Sequence, residues 1–416
     1  MGGWEGAIVT QQPGRVVIVG AGPAGMALAY LLARRGVGVT VLEMHNDFAR
    51  AFRGEGLQRS GIDAFRQMGL GEAFDRIPHT ELRIIENYSG GRLVVRADAA
   101  GLGREQMRLV SQPALLQLLA DEAGQHSSFQ LERGVTMRDF LRENGRVVGV
   151  RASADNGPRE YRAALVVGAD GRHAATRKHS GLPELSSPQG FDVLWLKVPY
   201  PAGYPDRTTA VFEMAVNRAA AAFPTADGHL QVGFIIQKGG FAALRARRME
   251  EWTEELIGRL PAYLADHLRA QREAVAGATL LNVVCGRLTE WTEAGLLLIG
   301  DAAHPMSPIG GQGVNMALRD ALVAANHLVP VLAAGGEPVA IDAAARRARD
   351  ERWPEIVAVQ EMQEDQARVL FTPDRWSTRL ANRLLPFLVR TGFLQWLQRK
   401  QNRQMSEGVV PVRLVV

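Results

Sequence analysis

Three glycine-and-acid turns hold the residues best suited to chemistry, and the first is Gly20-Ala21-Gly22-Pro23-Ala24-Gly25. It follows a β-branched run, Val16 to Val19, and opens a helical stretch, Ala24 to Arg35. In that context a G-x-G-x-x-G turn binds a dinucleotide. Gly20 permits the sharp turn, Gly22 lets the backbone approach a pyrophosphate, and Gly25 lets helix and strand pack closely. Ala24 belongs to the helix's first turn, whose unpaired N–H groups and partial positive charge suit an anion. Glu43 follows the next strand-like run, Val37 to Leu42. A carboxylate there accepts hydrogen bonds from a ribose 2′-hydroxyl and repels a 2′-phosphate. NAD and FAD share the adenosine diphosphate end, so this turn alone does not separate them.

Two distant segments choose between them. "LVVGADGRHAATR" (Leu165 to Arg177) ends a buried strand in Asp170-Gly171. "LLLIGDAAHPMSPIGGQGVNMALRDA" (Leu296 to Ala321) ends another in Gly300-Asp301 and starts a helix near Gly313. FAD is long, so its ribityl chain needs acceptors and its ring needs donors. Asp301 can accept from a ribityl hydroxyl. The run Gly310-Gly311-Gln312-Gly313 lets the backbone N–H groups of Gly313, Val314 and Asn315 point at the ring edge. A helix start at that place favours negative charge on the ring.

In the order and spacing of these three motifs, over roughly residues 15–330, the chain resembles the class A flavoprotein aromatic hydroxylases, the group typified by para-hydroxybenzoate hydroxylase. The resemblance implies FAD as cofactor and NAD(P)H as electron donor, with no second dinucleotide fold. It implies that oxygen adds to the reduced flavin, and that the resulting hydroperoxide delivers oxygen to an electron-rich ring or enol. It assigns Asp170 to indirect pyrophosphate contact and to NAD(P)H binding, and Gln112 to the ribityl chain. Arg53, in "ARAFRGEGLQRSG", matches a mobile flavin-contacting arginine, whose guanidinium pairs bidentately with phosphate; Arg50 competes for that role. Met137 is matched to backbone contacts with the adenine, and Pro308 to a backbone carbonyl facing substrate. The flavin carries the hard chemistry, so no side chain is assigned as catalytic. His304 is tempting as a base, although a histidine there more often braces the loop. The benzoate-binding tyrosine and arginine set is not recognisable, which favours a larger apolar, polyphenolic or polyketide-like substrate.

The elements that must position these residues read as an α/β fold. A Rossmann-like FAD-binding domain with a parallel sheet and a β-meander is expected at 14–180 and 281–330, after a disordered lead at 1–13. An inserted substrate domain with an antiparallel sheet is expected at 181–280, and C-terminal helices at 331–416. On the inserted sheet, Trp195, Phe212, Met214, Phe234 and Ile236 recur on strand-like runs and are the candidate substrate wall, with Pro308 opposite.

Bulk properties narrow the field further. The apolar fraction is 46% and the charged fraction 22%, as in soluble globular proteins. Net charge is +4, carried almost wholly by arginine, without the basic block of a nucleic-acid-binding tail. Cys285 is the single cysteine, which excludes an intrachain disulfide and a cysteine-built zinc cluster, and no metal is expected. The start "MGGWEGAIVTQQPGR" has no signal-peptide pattern, and no apolar run reaches membrane-spanning length, so a cytoplasmic location is expected. The tail "RLANRLLPFLVRTGFLQWLQRKQNR" is amphipathic and basic; packing on the body is the expectation, and contact with a membrane surface the alternative. Rival activities on the same fold are a reductase, an epoxidase and a halogenase. The halogenase pattern W-x-W-x-I-P is only echoed in "LWLKVP" (Leu194 to Pro199). A non-catalytic FAD module is the remaining alternative.

Overall fold

The computed structural model describes residues 7–9, 16–49, 56–99, 107–155, 157–201, 204, 206–214, 219–371 and 393–416. A six-stranded sheet forms the centre, in the order Thr292–Glu293, Leu296–Leu298, Leu165–Gly168, Val16–Val19, Val39–Glu43 and Phe129–Arg133. All neighbours run parallel except the first pair. Strands such as VVIV and LVVG are apolar throughout because both faces of a parallel sheet are covered. The helices Pro23–Ala33 and Gly313–Ala333 pack on each other beside this sheet. Among the described residues, Ile309–Ala333 is the one helical stretch long and apolar enough to cross a membrane, and 72% of its apolar window is buried inside the fold. A core helix reads the same way by composition.

The expected meander forms from Thr136–Glu143, Arg146–Ala154 and Gly157–Arg162. Its first hairpin turns at Asn144 and Gly145, both with positive φ, which is the backbone of the tight hairpin turn that Asn-Gly favours. Ala7–Val9 adds a parallel strand at the edge of this sheet, within the stretch read from sequence as a disordered lead.

The second sheet has seven strands, in the order Thr279–Leu281, Phe191–Pro199, His229–Gln237, Ala220–Pro224, Thr209–Glu213, Ile84–Ser89 and Arg92–Asp98. Its strands between residues 191 and 281 pair antiparallel, as expected, but the sheet extends further. The sheet draws its last two strands from residues 84–98, outside the expected 181–280 span. It is also mixed, because Thr209–Glu213 runs parallel to Ile84–Ser89. One face is buried under Met249–Ile257, Ala262–Ala270 and Arg272–Ala276, through Leu194, Val211, Val232 and Phe234. The other face carries Trp195, Phe212, Phe223 and Ile235. This inner face looks toward residues of the 300–313 turn, because Ile309 packs in the cluster that holds Trp195 and Ile235.

Candidate functional site

The three turns leave the ends of adjacent parallel strands and touch one another, as ligand-binding turns of doubly wound sheets do. Gly20 has φ +105°, and a Cβ built on it falls 2.5 Å from the Ala169 carbonyl oxygen. Gly25 has the tightest place: its Cβ would lie 2.1 Å from the Gly20 carbonyl oxygen. Gly22 differs from both, with nothing nearer than Ala169 at 3.8 Å. A side chain fits there sterically, so glycine at that position leaves open space at the helix start. The third turn meets the first where a Cβ on Gly300 would stand 3.1 Å from Ala24.

Glu43 is 2% exposed and lies beneath the first turn. Its Oε2 accepts from the Ala21 N–H at 2.9 Å and its Oε1 from the His45 N–H at 3.0 Å. A carboxylate retains lone pairs for a further donor. The Val135 N–H bonds the Glu43 carbonyl, which brings the strand bearing Met137 to the same corner; the Met137 side chain itself is core. Arg53 and Arg50 lie outside the described residues. Gln112 opens the helix Gln112–Gly124, half-buried.

Asp170 is turned inward. It accepts from the N–H and hydroxyl of Thr176, capping the helix Ala175–Ser180, and burial pushes its pKa up. Its side chain therefore serves the turn. Asp301 is half-buried: Oδ2 accepts from Arg172 Nε at 3.2 Å, and Oδ1 lies 3.7 Å from where a Gly313 Cβ would be. The helix Gly313–Ala333 starts there, and the N–H groups of Gly313, Val314 and Asn315 have no intrahelical acceptor, as at any helix start. The Asn315 side chain is committed elsewhere, accepting from the Gln58 N–H at 2.9 Å and donating to the Gly311 carbonyl at 2.8 Å.

His304 proves to be a brace. It is 1% exposed, its Nε2 lies 2.6 Å from Asp320 Oδ2, and its ring packs 4.9 Å from that of Trp291. The pocket role considered for it is corrected, since it points into the interior. Asp320 also binds Arg352, which pairs with Glu355, which pairs with Arg319, so five buried charged or ionisable side chains form one network. Asp320 Oδ2 accepts from the Gly300 N–H as well, which fixes the third turn.

The candidate substrate wall divides. Strand alternation puts Trp195 and Phe212 on the inner face, with Gly233 and Ala221 between them. Phe234 and Ile236 point the other way, into the helix-covered core, and are corrected to packing residues. Met214 is 48% exposed, just past the end of the strand Thr209–Glu213. Pro308 is half-buried, and its carbonyl accepts from the Gly311 N–H at 3.0 Å. Phe223 is the aromatic that sequence reasoning missed, with ring centroids 5.4 Å from Phe212 and 6.4 Å from Trp195. Also missed were the glutamines that hold the turn. Gln363 donates to the Ser307 and Ile309 carbonyls, Gln360 to Gly286 and Pro305, and Gln312 to Met405. Gln360 and Gln363 lie outside any motif, and Gln312, inside the third one, carries no local sign that its side chain reaches Met405.

The sequence profile of the FAD binding domain family matches residues 14–356. The chain belongs to that family. It is 34% identical over 354 residues to a 6-methylpretetramide 4-monooxygenase of Streptomyces rimosus, covering 82% of this chain and 79% of that one. It is 26% identical to a rifampicin monooxygenase of Streptomyces venezuelae, covering 74% and 62%. Among solved structures, p-nitrophenol 4-monooxygenase PnpA of Pseudomonas putida superposes with a TM-score of 0.75 at 20% identity, covering 95% and 98%, which is a likeness of fold. The chain is thus an FAD-dependent monooxygenase of the class A flavoprotein type. The flavoprotein's own residues fit the cofactor. Open space at Gly22 meets a helix start, Asp301 offers an acceptor, three unpaired amides open the helix at Gly313, and Arg172 Nη1 is buried without a partner.

Proposed function

We propose that this flavoprotein hydroxylates an extended, electron-rich aromatic molecule of polyketide type, with NAD(P)H as donor and O2 as co-substrate. The observation that carries the reading is the inner sheet face, which bears Trp195, Phe212, Phe223 and Ile235 and shares, through Trp195 and Ile235, a cluster with Ile309 of the Pro308–Gly311 turn. FAD, when bound, takes two electrons from the nicotinamide and allows one oxygen atom of O2 to enter the substrate while the other leaves as water. Gly22, Ala24 and the helix behind them would hold its pyrophosphate, Glu43 its ribose, Asp301 its ribityl chain, and the amides of Gly313 to Asn315 its ring. The aromatic face excludes water and orients the ring to be oxygenated. The 6-methylpretetramide and rifampicin named for the Streptomyces relatives, and a Rhodococcus jostii relative named a probable NADH-specific resorcinol 4-hydroxylase, support the same reading.

The test is oxygen consumption by the purified holoenzyme with NADH or NADPH, in the presence of 2,6-dihydroxyanthraquinone, with mass analysis of the product. Substrate-stimulated uptake and a product heavier by one oxygen are expected. A yellow protein that neither takes up oxygen faster nor alters the probe refutes the substrate class.

A further inference from the structure

Gln231 lies on the strand His229–Gln237, between Leu230 and Val232, both of which belong to the helix-covered core. Alternation therefore turns Gln231 to the inner face, in a row that runs Lys197, Gln231, Phe223 across three strands. It is 5% exposed, yet its amide makes no side-chain hydrogen bond to any described residue. Neither amide atom is among the fully buried, unpartnered ones, so the little of Gln231 that stays accessible includes its amide, which is open to a ligand on the inner face.

Its position on that face suits a ligand of a definite length. Ile235, on the same strand and face, packs on the same small cluster as Ile309 of the third turn, whereas Gln231 stands four residues away. Four residues of strand span about 13 Å, a length matched by about three or four linearly fused rings and not by a single ring. Phe223 lies beside Gln231, and Trp195 one row nearer the turn, so aromatic side chains flank the way between.

We propose that Gln231 reads a hydroxyl or carbonyl at the far end of a linear, fused-ring substrate whose near ring lies at the Pro308–Gly311 turn. An amide presents both N–H donors and a carbonyl acceptor, so it answers either group. The proposal rests on the inner face being the substrate wall, and it adds a length and a polar terminus to that substrate.

The test titrates the holoenzyme with three probes and follows the visible flavin spectrum. The probes are 2,6-dihydroxyanthraquinone, with a hydroxyl at each end, 2-hydroxyanthraquinone, which lacks one, and resorcinol. In the wild type the dihydroxy probe binds roughly tenfold more tightly than the monohydroxy one, and in Gln231→Met that advantage disappears. Resorcinol binding is the same in both proteins. The melting temperature of Gln231→Met does not fall, because no hydrogen bond is lost. Gln231→Asn, which keeps the amide but shortens its reach, also loses the advantage and covers the case in which methionine folds poorly. A Gln231→Met protein that still prefers the dihydroxy probe tenfold overturns the proposal while leaving the substrate wall intact. A wild type whose spectrum responds to resorcinol but to neither tricycle overturns both.

Discussion

Asp320→Asn tests the buried network under the third turn. The carboxylate accepts from His304 Nε2 at 2.6 Å, from the Gly300 N–H at 2.9 Å and from Arg352 Nε at 2.8 Å, and it is 1% exposed. Burial pushes its pKa up, but the charges and hydrogen bonds of His304 and Arg352 outweigh that and hold it at about 2. Removing one partner of a buried ion pair costs about 3–5 kcal/mol. Here Glu355 still pairs with Arg352, so about 3 kcal/mol is expected, measured by urea unfolding at pH 7. The pH dependence gives a second reading. The folded pKa of about 2 lies below the ordinary 3.8, so ionised Asp320 contributes stability above pH 4 and loses it as pH falls toward 2. That contribution is about 2 kcal/mol at pH 7, and about 1 kcal/mol of it is gone by pH 3. Asparagine has no such acid limb, so the gap between the two proteins narrows by that amount. Because Asp320 also holds the Gly300 N–H, FAD affinity falls in parallel, about tenfold for a loosened turn. Unfolding free energies within about 1 kcal/mol of each other at pH 7, or a gap that does not close on acidification, refute the network's role.

Gly25→Ala pushes a methyl to 2.1 Å from the Gly20 carbonyl oxygen, so the helix must withdraw; the protein is expected to purify colourless, and one that retains a full complement of FAD contradicts the packing. Phe234→Ala, at a fully buried position under the helices, costs about 3–5 kcal/mol of stability and leaves KM unchanged. Phe223→Ala on the opposite face raises KM instead, so equal KM values for the two variants would undo the face assignment. Burial pushes the Cys285 thiol up to about 12, so iodoacetamide at pH 8 is expected to label it only after unfolding, with labelling of the native protein as the contrary result.

The three turns were legible because they are local: Gly20, Gly25, Asp301 and the Gly313 helix start each stand where the residues on either side demand a turn. Side-chain destinations were not. Asp170 accepts from Thr176, six residues on in the first turn of the next helix, a reach set by the loop between them and not by any local pattern. Trp195 and Phe234 both fit a period of two, but only the pairing of Trp195 with Gly233 shows that they face opposite ways. Register depends on partners far along the chain, as does the recruitment of residues 84–98 into the second sheet. The same limit hid Phe223, Gln231 and the glutamines of the helix Pro338–Phe371.

The central sheet also constrains how the chain reaches its native state. Val16 pairs with Leu165, and Val166 with Leu296, so three neighbouring strands are contributed by remote parts of the polypeptide. Closing such long loops is slow compared with forming hairpins or helices. The meander and the long helices can therefore be in place before the coenzyme's cradle exists. On dilution from urea, the far-ultraviolet signal should recover well ahead of flavin quenching, making holoprotein assembly a late event set by topology and not by how fast FAD diffuses.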